Sequence, residues 1–153
     1  LEIKNVSDSD EYWGYWARGV GFYTFNRTQR TLLSIRVGTT ARIGGPVTIG
    51  WYWVGREMGT ERQIVYGDGN KTVNVPSAYF AECLAATPDL KSHDSGDVFA
   101  RYLSGTMHEG WIVYALNDKN AQIGAKASSE ALLQLFSRKE DFAKLLPPKK
   151  PKR

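Results

Sequence analysis

Residues 47–54 read Val-Thr-Ile-Gly-Trp-Tyr-Trp-Val, and the order of these side chains decides the fold class. Val47, Ile49, Trp51 and Trp53 occupy alternate positions. Successive side chains of an extended chain leave on opposite faces, so this spacing gathers all four on one face of a strand, whereas a helix would scatter them. The same period of two recurs in residues 31–37, where Leu33, Ile35 and Val37 alternate with Ser34 and Arg36. Residues 19–25, 63–66, 71–75 and 111–116 are rich in β-branched and aromatic side chains and read as further strands, as does the weaker pattern around Ile3 and Val6 in residues 1–6.

Turn chemistry then sets the connections. Gly67-Asp68-Gly69-Asn70 tolerates positive φ and predicts a tight hairpin between residues 63–66 and 71–75. Residues 55–61 read as a longer link from the Trp51 strand, so the middle of the chain is expected to meander. Strands do not alternate with long helical patterns, which disfavours the parallel-sheet architectures of most nucleotide-binding enzymes. One helical region closes the chain: Leu132, Leu135, Phe136, Phe142, Ala143 and Leu146 recur at three- and four-residue spacing. Ser128 or Ser129 can cap its start, and Ser137-Arg138-Lys139-Glu140 reads as a capping box that would divide it into two helices. Residues 78–86 fit either a short helix or an edge strand, and residues 87–97 have loop character. The fold class read from these signals is mainly β: an antiparallel β-sandwich, loosely immunoglobulin-like, with a C-terminal α-helix across one sheet or one open end.

At 153 residues, with 42% hydrophobic and 24% charged side chains, the chain suits one domain with a substantial core. The expected organisation is one domain over residues 1–146 and a basic tail over residues 147–153, after the helix-ending Pro147-Pro148. No continuous apolar run is long enough to cross a bilayer as a helix. The formal net charge is +4, and Lys149, Lys150, Lys152 and Arg153 account for the whole excess, leaving residues 1–148 formally neutral. Contact with nucleic acid or another polyanion is therefore expected only through the tail, which resembles a basic nuclear-localisation sequence.

The residues that could carry chemistry form no recognisable catalytic or metal-binding constellation. The two histidines each sit beside a carboxylate, as His93-Asp94 and His108-Glu109, but adjacent residues diverge on a strand or helix and do not converge on a metal. Cys83 is the single cysteine, which excludes an intrachain disulfide; within Phe80-Ala81-Glu82-Cys83-Leu84 it reads as a buried thiol. No Gly-x-Ser-x-Gly elbow is present, Gly67-Asp68-Gly69 lacks the lysine and helix of a phosphate loop, and Asp8-Ser9-Asp10-Glu11 continues into Tyr12 and Trp13 where a calcium loop needs a ligand and a glycine. No cofactor is expected. Asn5, Asn26 and Asn70 head glycosylation sequons that matter only in a eukaryotic secretory setting.

The most suggestive feature is aromatic. Tyr12, Trp13, Tyr15 and Trp16 place four rings within five residues beside acidic side chains. The segment reads as a loop plugging a sheet edge or as an exposed stacking surface, and in the second reading the four residues bind a saccharide or a partner protein.

The run Glu109-Gly110-Trp111-Ile112-Val113, then Gly124-Ala125-Lys126-Ala127-Ser128-Ser129 and a leucine-bearing helix, with Trp53-Val54-Gly55-Arg56 ahead of Val65-Tyr66, resembles uncharacterised bacterial exported proteins. The similarity spans roughly residues 31–136. It implies a β-sandwich-like domain, an envelope or periplasmic setting and a strand end leading into a helix cap at residues 126–129, and it brings no catalytic residue. No leader segment is recognised in the chain itself. The resulting expectation is a non-catalytic binding or scaffolding domain of an exported bacterial protein. The other readings are a carbohydrate-binding module using exposed aromatics, a nuclear or nucleic-acid-associated domain using the tail, and a hydrolase whose site is assembled only in the fold.

Because the basic excess lies beyond a double proline, deleting residues 147–153 is expected to leave the thermal midpoint nearly unchanged. Any binding to heparin or DNA should fall with added salt and largely disappear with the deletion. Salt-sensitive binding that survives the deletion would place a basic patch on the domain.

Overall fold

A computed structural model describes residues 2–17, 21–38, 45–75 and 80–148. Eight strands lead into two short helices: β1 (Glu2–Ala17), β2 (Phe22–Gly38), β3 (Gly45–Glu57), β4 (Gln63–Val75), β5 (Phe80–Ala86), β6 (Leu90–Gly96), β7 (Arg101–Leu116), β8 (Gln122–Ala127), α1 (Glu130–Ser137) and α2 (Lys139–Ala143). Every strand pair is antiparallel. The strand order is β1-β2-β6-β7-β3-β4, with β5 added to β2 and β8 to β7. The protein is thus mainly β and antiparallel, with a helical C-terminal segment, as its alternating patterns predict.

Two long strands organise the sheet. β2 pairs with β6 through residues 23–29 and with β5 through residues 32–38, while β1 runs along its other edge. β7 pairs with β6 through residues 101–105 and with β3 from residue 106 onward. At one end β1, β2, β6 and β7 therefore form a continuous sheet. At the other end the layers part and enclose the core: Leu33, Ile35, Val37, Cys83 and Ala85 from β2 and β5 meet Ile49, Trp53, Val75, Val113 and Ala115 from β3, β4 and β7. The outer face of β3 and β7 holds a second cluster, where Val54, Val65 and Ile112 receive Leu132 and Phe142 of the helices.

The helices dock through a sequence feature of β7. A β-carbon on Gly110 would stand 2.1 Å from Ser128 Oγ and 2.6 Å from Leu132 Cδ1, so glycine is what lets the helix cap approach the strand. Trp111 N–H donates to Ser128 Oγ (3.0 Å) and Ser128 N–H to the Trp111 carbonyl (2.9 Å). Ser129 then caps α1, its Oγ accepting from Leu132 N–H at 3.3 Å. The expected Ser137–Glu140 capping box does not form: Ser137 Oγ donates back to the Gln134 carbonyl at 2.6 Å, and Arg138 occupies the cap of α2 without a side-chain bond. Ala143, placed on the apolar face by spacing, is exposed because the helix breaks before it.

Three expectations are corrected. Residues 67–70 do not turn; they lie within β4, and the hairpin comes earlier, at Met58–Arg62, where Gly59 and Glu61 take positive φ. Gly67 and Gly69 pair with Trp53 and Trp51, and a β-carbon on Gly69 would stand 2.5 Å from Trp51 Cζ2, so these glycines make room for indoles. Strands read as separate are continuous: β1 joins residues 2–6 to the aromatic cluster, and β2 joins residues 22–25 to 31–37. The ambiguous stretch is strand, as β5 and β6; the polar β6 is held on both edges, by β2 and β7, so backbone pairing fixes it without an apolar pattern. The basic residues 149–153 lie outside the described residues.

Trp53 is 1% exposed, whereas Trp51 is partly buried and packs against the same cluster. Trp53→Ala is expected to cost about 3–5 kcal/mol of unfolding free energy, and Trp51→Ala less, as measured by urea denaturation. Equal and small losses at both positions would contradict this core.

Candidate functional site

The shared end of the sheet, built from residues 10–17 of β1, residues 22–29 of β2, β6 and residues 101–105 of β7, is ladder-paired throughout. Cross-strand partners share a face, so the register sorts its side chains. Trp16, Tyr23, Gly96 and Arg101 form one row, Gly14, Phe25, Asp94 and Leu103 the next on that face, and Tyr12, Arg27 and Ser92 a third. The opposite face carries Tyr15, Thr24, Ser95 and Tyr102, then Trp13, Asn26 and His93.

On the first face the aromatics are braced by ion pairs. The Trp16 and Tyr23 rings stack with centroids 5.6 Å apart and planes 7° apart. The Tyr23 hydroxyl donates to Asp94 Oδ1 (3.1 Å), and Arg101 grips the same carboxylate through Nη2–Oδ2 (2.7 Å) and Nε–Oδ1 (3.1 Å). This guanidinium, with the Tyr23 bond, holds Asp94 below the ordinary carboxylate range. Arg27 forms the matching fork on Asp10, at 2.7 and 2.5 Å, and lies over the Tyr12 ring at 4.8 Å. Phe25 lies over Gly14, where a β-carbon would stand 2.5 Å from its Cδ1. Between these groups and Met58 and Met107 runs a groove of about 300 Å³.

Among the described residues, the β6–β7 hairpin forms the point of this end. Asp97 Oδ1 accepts from the N–H groups of Phe99 (2.8 Å) and Ala100 (2.9 Å), while Asp97 N–H donates to the Ala100 carbonyl (2.9 Å). This turn holds Val98 and Phe99 outward, 79% and 93% exposed. Val98 Cγ1 lies 3.6 Å from the β-carbon position of Gly21, which places the approach to β2 beside it.

The four aromatics singled out in the sequence do not plug a sheet edge. Tyr12, Trp13, Tyr15 and Trp16 lie in β1 and are each 58–65% exposed. They do not form one platform either, because strand alternation sends Tyr12 and Trp16 to one face and Trp13 and Tyr15 to the other. Phe22, Phe25, Val98, Phe99 and Tyr102 share the same end and carry no marking in the sequence as contact residues. The available signal was Gly-Asp-Val-Phe at residues 96–99, a turn whose middle positions are apolar.

The remaining candidates are tied into the structure. Asp8 and Asp10, whose segment lacks the pattern of a calcium loop, sit in β1, where Asp8 accepts from Thr31 Oγ1 (2.9 Å) and Asp10 holds Arg27. His93 Nδ1 bonds Asn26 Oδ1 at 2.9 Å. Cys83 is buried, and burial pushes its thiol pKa up. Among the described residues, no group of three or more His, Cys, Asp and Glu side chains is placed to hold a metal ion. His108 does share a cavity with Asp8, Asp10, Glu109 and Ser128. Its Nδ1 lies 2.7 Å from the Tyr66 hydroxyl, Glu109 is engaged by Arg56 and Gln63 (3.0 Å each), and Ser128 Oγ accepts from Trp111 N–H. These groups are spent on joining β1 to β2, and β7 to β3, β4 and the helix cap. No protein-family model matches the chain, and no curated protein matches it.

Burial holds the His108 imidazole below its ordinary value of 6.5, against the opposing pull of Asp8 and Glu109. The unfolded chain therefore binds this proton more readily, and stability is lost as pH falls below that value. Asp10 and Asp94, held low by Arg27 and Arg101, withdraw their contributions only as pH falls below their ordinary 3.8. Urea midpoints should accordingly fall in two steps on acidification, and His108→Gln should flatten the upper one. An unchanged upper step would assign it elsewhere.

Proposed function

We propose that this chain is a non-catalytic binding module of an exported bacterial protein and that the shared, aromatic end of its sheet is the contact surface. One observation carries the reading. Of the thirteen exposed large hydrophobic side chains among the described residues, nine lie in these two adjacent hairpins: Tyr12, Trp13, Tyr15, Trp16, Phe22, Phe25, Val98, Phe99 and Tyr102. The other four, Val6, Phe80, Leu84 and Ile123, lie on β1, β5 and β8 away from this end. Exposed large apolar side chains cost solubility and contribute little to folding, so their concentration at one end points to a partner. The exported setting rests on the resemblance carried by residues 109–113 and 124–129.

A saccharide is favoured by one feature of this end: Trp16 and Tyr23 offer flat ring surface next to the Arg101–Asp94 fork, and sugars pair apolar ring faces with hydroxyls that bond such groups. The nucleic-acid reading rests on the tail alone.

Retention on a panel of insoluble polysaccharides and phospholipid vesicles tests the module reading. The native chain should be retained by at least one surface. A Trp13→Ala/Trp16→Ala/Phe99→Ala variant should lose that retention at least about tenfold while keeping its thermal midpoint, because exposed side chains contribute little to stability. No retention on any surface, or equal retention by the folded variant, would overturn the assignment.

A further inference from the structure

We infer that the aromatic end enters the interface of a phospholipid bilayer, with Val98 and Phe99 as its apolar point and Trp13, Tyr15, Trp16 and Tyr102 as a collar behind them. The inference rests on the reading of this end as a contact surface and narrows it to one partner.

Three observations favour lipid over a saccharide or a docked protein. The first is that the exposed rings leave both faces of the sheet: Trp16 on one, Trp13, Tyr15 and Tyr102 on the other. A flat ligand covers one face, and a strand-adding partner covers an edge. A surrounding medium covers both faces and the point at once.

The second is the order of chemistry with depth. Phe99 and Val98, the most exposed apolar side chains described, stand at the turn itself. Trp16 lies in the row of Gly96 and Arg101 just behind it, Tyr15 and Tyr102 in the next row, and Trp13 two rows further back. At about 3.3 Å per row the collar spans about 10 Å. Hydrocarbon-seeking groups lead and ring-and-polar groups follow, as an interface requires, where tryptophan and tyrosine concentrate.

The third is electrical. At the point, Asp97 accepts both the Phe99 and Ala100 N–H groups while its own N–H is bonded to Ala100, so that the Val98 and Phe99 side chains enter the apolar layer and the Asp97 carboxylate stays at headgroup level. Further back, Asp94 is matched by Arg101 and Asp10 by Arg27. This internal pairing of charge complements an apolar layer bordered by zwitterionic headgroups. The attachment is peripheral; no described helix is long and apolar enough to cross a membrane.

The test is flotation of the full chain with vesicles of phosphatidylcholine alone and of phosphatidylcholine mixed with phosphatidylglycerol. The chain should float with both, and brominated acyl chains should quench its tryptophan emission. Val98→Asp/Phe99→Asp should weaken flotation at least about tenfold, with Phe99→Ser as the milder variant should the double one fail to fold. Leu84→Asp, an exposed position on β5, should float as the native chain does. Failure to float with either vesicle overturns the lipid inference, as does flotation only with the anionic vesicles that is indifferent to Phe99, which would assign binding to the basic tail. If vesicles fail while a polysaccharide retains the chain through Trp16, the lipid inference falls and the contact surface stands. If neither binds, both fall.

Discussion

The Trp53 indole is the piece on which the two layers close. A β-carbon on Gly67, its cross-strand partner, would stand 3.1 Å from Cδ1, and the ring meets the His108 imidazole edge-on with centroids 6.2 Å apart. A glycine opposite this side chain, which is 1% exposed, leaves room for its ring. It also accompanies breaks in register just beyond it, between Trp53 and Val54 on the β4 side and between Val54 and Gly55 on the β7 side. Such bulges sharpen strand twist. Here they come just before β7 turns toward its pairing with β6, with Gly105 at positive φ and within 2.1 Å of the Lys91 carbonyl at its β-carbon position. The core and the exposed end are joined through this bend, and His108 is half-buried at the junction.

β2 shows how one strand serves both regions. Leu33, Ile35 and Val37 belong to the core, and the same alternate positions continued toward its start are Gln29, Arg27, Phe25 and Tyr23. Where the second layer covers the strand, this face is aliphatic. Where that layer has diverged, the face is aromatic and ion-paired. The end needs no core of its own, because ladders on β2, β6 and β7 fix its backbone and the Asp94–Arg101 and Asp10–Arg27 forks fix its side chains. Exposed pairs of this kind contribute little stability; their use here is orientation.

What could be read from the sequence follows from which faces are covered. Residues 31–37 and 47–54 are legible because one face is buried and the other is not, which is the condition that produces alternation. Residues 12–16 are strand and yet show no alternation, because both of their faces carry rings. β6 was unreadable for the complementary reason: it is held by neighbours on both edges and its sequence, Leu-Lys-Ser-His-Asp-Ser-Gly, has little to bury. The Gly67–Asn70 segment misled because glycine has two uses, positive φ and close approach, and only the partner strand tells them apart. Of the candidate surface, the four β1 aromatics were visible as a cluster. Phe22, Phe25, Val98, Phe99 and Tyr102 join them only through strand register.

The distribution of apolar residues separates what folds the chain from what it displays. The buried and half-buried set accounts for both clusters: Trp53 and its aliphatic neighbours between the layers, and Tyr52 of β3 against Phe136 and Phe142 of the helices, with Tyr52 and Phe142 centroids 4.9 Å apart. None of the exposed rings of the two hairpins belongs to either cluster. Folding alone therefore supplies no reason for Phe99 to be phenylalanine, since its turn is closed by Asp97 and the backbone of Ala100. A polar residue there would fold as well and dissolve better. An apolar side chain held outward by a turn whose own Phe99 and Ala100 amides are bonded to Asp97 is suited to the proposed surface outside the chain, and that surface has to accept both faces of the sheet.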